Sequence, residues 1–174
     1  MMPEQSSGSG LDLYRCTDFP GTWVHECRLI DGHLHVINFA QQTPGPEALI
    51  AAMDSSNVGK AVIFGLPVAK LWAEWDRETP DYYLANDARC YYYSYTDVLV
   101  ADLVQSLPAE QQQRLYPLMC GFNPTDKLAV RDVKRLYERY PGVWCGIGEL
   151  LLRHDDLTAL TYGETARANH RALW

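Results

Sequence analysis

The sequence is short of the features that announce several common functions. Basic residues are outnumbered, 15 Lys and Arg against 22 Asp and Glu, for a net charge of −7. A nucleic-acid surface needs clustered positive charge, so no nucleic-acid partner is expected. No apolar run approaches the roughly 18–20 residues that span a bilayer, and no membrane partner is expected either. The opening "MMPEQSSGSG" lacks the basic and apolar regions of a signal peptide. Cysteine is sparse and odd in number: five residues, with no C-x-x-C pair. Such spacing supports neither a disulfide framework nor a thiolate zinc site, and the expected location is cytoplasmic. Cys120 and Cys145 sit in apolar runs and read as small buried residues. The dinucleotide G-x-G-x-x-G, the phosphate-binding G-x-x-x-x-G-K-[ST] and the serine-hydrolase G-x-S-x-G are all missing.

What remains is one domain's worth of chain, 174 residues of which 47% are hydrophobic. Residues 1–26 read as an irregular, Ser- and Gly-rich lead, and 27–174 as the folded domain. Strands are expected at "CRLIDGHLH", "KAVIFGLP", "LYPLMCGFNP" and "VWCGIGELL". Between them lie three helical patterns. Leu49, Ile50 and Met53 stripe the first, and Val100, Leu103, Val104 and Leu107 the second. Ala129, Val133, Leu136, Tyr137 and Tyr140 stripe the third. A further helix start is expected at the end of the chain. Strands alternating with helices imply right-handed crossovers and a parallel sheet, an α/β fold.

The chemistry begins in "LIDGHLHVINF". Alternate residues of a strand share a face, so His33 and His35 project together. They stand at the carboxyl end of the first strand, where parallel α/β folds bind ligands. Two imidazoles there can share one metal ion, with Asp31 available to orient a ring. They can equally be solvated residues at a strand end. The second clue is "GIGEL". Glu149 closes an otherwise apolar strand, where a carboxylate needs a partner. That partner can be a metal, solvent or Arg153. Both clues fall on the same edge of the sheet, so the groups can converge.

"IDGHLHV" followed by "GVWCGIGEL" resembles the amidohydrolase superfamily of metal-dependent hydrolases, and most its amidohydrolase-2 branch. The resemblance runs from about Leu29 to Trp174. It implies a TIM-barrel-like (β/α)8 fold, of which this chain supplies the parallel β/α repeats of the first half. It implies a divalent metal, zinc foremost, held by His33, His35 and Glu149. It also implies that a metal-activated water attacks a C–N or C–O bond of a small-molecule substrate. Some members of the branch are decarboxylases instead. The family's later histidines and its catalytic aspartate have no counterpart here, so no catalytic residue is assigned. His25 precedes the first strand, His154 sits in the loop after Glu149, where it can approach the site or be a solvated loop residue, and His170 falls in the last helical segment. The expectation is therefore a truncated enzyme, a non-catalytic fragment with an incomplete site, or a homo-oligomer that covers the open half barrel.

The segment Leu71–Tyr95 follows the second strand on the same edge. Trp72, Trp75, Tyr82, Tyr83 and Tyr91–Tyr93 either pack internally or form a lid, with Arg77 or Arg89 available to a substrate carboxylate.

Overall fold

The structure, a computed structural model, describes residues 28–163. His25, Cys27 and His170, with the whole lead 1–26 and the final helical segment, lie outside the described residues.

Four strands pair in parallel: β1 (Leu29–His35), β2 (Val58–Phe64), β5 (Leu115–Met119) and β6 (Gly146–Ile147). Between them run α1 (Pro46–Ser55), α2 (Tyr95–Ser106), the short α3 (Ala109–Gln112) and α4 (Ala129–Arg139). The strands lie in the order β1-β2-β5-β6, so each crossover advances in one direction. Right-handed crossovers that never reverse leave their helices on one face of the sheet. The packing agrees. Leu49, Ile50 and Met53 of α1 join Val100, Leu103 and Val104 of α2 over Ala61, Ile63 and Leu115 of the sheet. The edge strands keep aliphatic side chains in solvent: Leu29 is 62% exposed, Ile30 58% and Ile147 53%.

Local chemistry explains the elements. Pro46 opens α1 in its first turn, where a missing N–H costs nothing. In α4, Ala129 and Tyr140 are buried but Tyr137 is 62% exposed, against its assignment to the apolar stripe. At 100° per residue Tyr137 lies roughly 80° from Ala129, at the margin of that face. Tyr140 is held instead by its hydroxyl, which donates to Asp102 Oδ1 at 3.1 Å.

Two sequence expectations need correction here. The fourth strand is only Gly146–Ile147, far shorter than "VWCGIGELL". Gly148, at φ 151°, takes a backbone conformation that L side chains rarely adopt and turns the chain out of the ladder. Cys145, just before the edge strand β6, is exposed; among the described residues Cys90 and Cys120 are the buried thiols.

The segment after β2 adds a separate ribbon. β3 (Val68–Lys70) pairs antiparallel with β4 (Cys90–Tyr92), closing the loop 71–89. A short helix, α5 (Asp155–Leu160), follows the fourth strand, and its Leu157 packs with Phe39, Val68 and Cys90 in a second small core.

The carboxyl edge of the sheet is pinned by the start of α2. Asp97, 1% exposed, accepts from the backbone N–H of Cys120 and Gly121 at 3.0 and 3.1 Å. Thr96 packs into the space left by Gly65 and Gly121. A Cβ at Gly65 would stand 2.0 Å from Thr96 Oγ1, and one at Gly121 would stand 2.8 Å from Thr96 Cγ2. At the opposite edge Arg114 bonds the carbonyls of Val58 and Gly59 and pairs with Asp54 at 2.9 Å.

Candidate metal centre

His33 and His35 occupy the last turn of the β1 pleat, with side chains on one face as the alternation requires. Their rings meet edge to face with centroids 5.1 Å apart. Phe64, the partner of His35 across the parallel pair, presents its ring to both at 4.9 and 4.7 Å. An apolar floor of this kind limits how far either imidazole can turn.

Glu149 comes from the turn after β6. Its Oε2 lies 3.4 Å from His33 Nε2 and 3.2 Å from His35 Nε2. The three donor atoms all fall within 4.8 Å of one another. Two ligands at about 2.0–2.1 Å from a tetrahedral zinc stand about 3.3 Å apart, so both imidazole–carboxylate spacings match an edge of that polyhedron. The sequence-derived residues His33, His35 and Glu149 are thus brought together, and Arg153 is not the partner of Glu149.

The tautomer of His35 also fits. Its Nδ1 lies 2.9 Å from the Gly65 carbonyl oxygen. A carbonyl only accepts, so Nδ1 carries the hydrogen and the Nε2 lone pair is left toward Glu149. This is the outer contact that orients a metal-binding histidine. Asp31 does not perform that task. Its Oδ1 accepts from the backbone N–H of His33 at 2.9 Å, which holds the strand's irregular register rather than a ring.

The triad lines a cavity of about 750 Å³. Val36, Ile37, Phe39, Leu66, Leu151 and Leu157 give it apolar walls. From the aromatic segment only Asp81 and Tyr83 reach it. Hydrogen bonding to Tyr82 and then burial push Tyr83 up to about 12, so it keeps its phenolic proton at neutral pH. The other aromatic residues lie elsewhere. Trp75 is 77% exposed, and Trp72 donates its indole N–H to the Asp76 carbonyl at 3.1 Å. Arg77 and Arg89 do not line the cavity, and Arg89 stacks over Tyr162 at 5.2 Å.

Arg153 and His154 also line the cavity; the sequence offered Arg153 only as a partner for Glu149 and His154 as a residue that can approach the site. His154 precedes α5 and its Nδ1 accepts from the Leu157 N–H at 3.2 Å. The "RHDD" signal was present in the chain, but histidine is not a common cap and nothing in the spacing marks it. Beneath the site, burial and then the Asp97 charge push the Cys120 thiol well above its usual range. Cys120 is therefore a packed thiol at neutral pH and not a thiolate ligand.

No family model, curated protein or solved structure matches the chain. The resemblance to amidohydrolases thus rests on the two motifs alone.

Proposed function

We propose that this chain carries a divalent-metal centre of the amidohydrolase kind, with zinc the favoured ion, serving hydrolysis of a C–N or C–O bond. The observation that supports it most is the convergence of two imidazole nitrogens and one carboxylate oxygen at the carboxyl edge of a parallel sheet. Three protein donors leave a tetrahedral ion one position for water or substrate, the pattern of catalytic rather than structural zinc. When bound, such an ion supplies Lewis acidity, which polarises a carbonyl and makes water nucleophilic near neutral pH.

The chain's own residues have distinct tasks in this reading. His33 and His35 offer neutral nitrogens, and Glu149 offsets part of the ion's charge. The Gly65 carbonyl and the Phe64 ring hold the donors in place. The apolar walls flank a site that opens to solvent, with the His33 and Glu149 side chains 60% and 48% exposed. The finer architecture is part of the same proposal. A sheet whose strands follow chain order, with helices on one face and aliphatic residues exposed at both edge strands, suits one part of a (β/α)8 barrel.

Metal analysis tests the centre. The zinc-loaded, dialysed chain is expected to hold about one ion, lost in the His33→Ala/His35→Ala double variant and weakened in Glu149→Gln. A double variant that keeps the wild-type zinc content would remove the assignment.

A further inference from the structure

We infer that the same cavity contains an organic-anion subsite formed by the Arg153 guanidinium and the His154 Nε2–H, so that its substrate carries a carboxylate. The inference rests on the metal-centre reading for its charge balance and adds two residues that reading does not use.

Arg153 and His154 are consecutive and line the cavity that holds His33, His35 and Glu149. Among the described residues no carboxylate pairs with Arg153. Glu149 is engaged by the two histidines, at 3.4 and 3.2 Å. Arg153 is exposed and lines the cavity, and an unpaired guanidinium offers a planar fork of donors that matches a carboxylate.

The second donor follows from hydrogen bonding. His154 Nδ1 accepts from the Leu157 N–H at 3.2 Å, so in the neutral ring the hydrogen sits on Nε2. The ring's position is held twice more. The His154 backbone N–H donates to Thr158 Oγ1 at 2.6 Å, and the ring meets Tyr83 edge to face at 5.3 Å. Nε2–H has no partner among the described residues, and His154 is exposed and lines the cavity. Both donors are side chains, and the helix contributes only the bond that orients the ring.

Charge decides which ligand suits this arrangement. The cavity is lined by one guanidinium and two carboxylates, Glu149 and Asp81, a net of one negative charge. A divalent ion at the triad reverses this to one net positive charge. The loaded cavity therefore favours a monoanion, and its apolar walls favour a hydrocarbon body.

The test compares phenylacetate with its neutral isostere phenylacetamide by calorimetric titration of the whole chain. It is run with zinc and after chelation, on wild type, Arg153→Gln and His154→Ser. Serine keeps a cap acceptor for α5 but removes the Nε2–H. Wild type is expected to prefer the carboxylate at least tenfold. Arg153→Gln should lose most of that preference with its zinc content unchanged, and His154→Ser a smaller part. The subsite is overturned if wild type shows no preference in either state. It is equally overturned if Arg153→Gln and His154→Ser both match wild type in both states. A chain that binds no zinc yet keeps an Arg153-dependent preference for phenylacetate would overturn the metal reading alone and leave the anion subsite standing.

Discussion

Adding one methyl group at Gly65 tests how the site is supported. Gly65 follows β2, and its φ is not in the left-handed region, so alanine meets no backbone strain there. The cost is steric. The new Cβ would stand 2.0 Å from Thr96 Oγ1, 3.1 Å from its Cβ and 3.3 Å from its Cγ2. Thr96 is 0% exposed and packed at the start of α2, so it has no free space to turn into. Overpacking of this kind costs about 1–3 kcal/mol. The hydroxyl itself contributes little, because Thr96 Oγ1 is buried without a hydrogen-bond partner. Thr96→Ala alone should therefore cost only about 1 kcal/mol, the value of a buried methyl. In the Gly65→Ala/Thr96→Ala chain the vacated volume receives the new methyl. The double variant should then be more stable than the sum of the singles by about 1–2 kcal/mol. Urea denaturation of the four chains measures this. The Gly65 carbonyl also holds His35 Nδ1 at 2.9 Å, so zinc affinity should track the same cycle. It should fall roughly 10- to 100-fold in Gly65→Ala, as for lost outer-shell contacts, and recover in the double variant. Additivity within about 0.5 kcal/mol would refute the claim that Thr96 and Gly65 share one volume.

Further outcomes follow from the same framework. Burial pushes Asp97 up to about 6 from 3.8, despite the backbone N–H bonds from Cys120 and Gly121 that favour its charged form. A raised folded-state value means the folded chain binds more protons than the unfolded chain between those limits. This residue's contribution to stability is therefore largest below about pH 4 and is lost as pH rises through about 6. The stability of wild type relative to Asp97→Asn should fall by roughly 2 kcal/mol from pH 4 to pH 7, and a flat difference would count against it. Gly148→Ala places a side chain at φ 151° and should cost about 1–3 kcal/mol. It should also weaken zinc binding, because that turn delivers Glu149; calorimetric titration with zinc that matched wild type would contradict this.

Much of the frame was legible in the chain. Helical stripes such as Leu49, Ile50 and Met53, and apolar strands such as "KAVIF", express local periodicity, which the backbone obeys wherever one face is buried. The pairing of His33 with His35 was legible for the same reason, since a two-residue repeat puts both on one side of a strand. Contacts between distant segments were not. Glu149 meets the histidines although β2 and β5 stand between β1 and β6: parallel pairing puts the carboxyl ends of the strands on one side, and the turn at Gly148 carries Glu149 out of the ladder toward them. The Gly65 carbonyl replaces Asp31 as the acceptor for His35, a choice made by backbone approach across β1 and β2. Asp97 looks in sequence like an ordinary polar start to a helix, yet it is buried against Cys120 and Gly121. The aromatic segment left packing and a lid both open, because composition says nothing of direction: of the rings in and around the β3–β4 ribbon only Tyr83 lines the cavity. By itself the sequence determined which residue types stand at the ends of which strands, because strand periodicity is local. Only the tertiary structure decided which of them meet, because that depends on register, turns and the volume left between side chains.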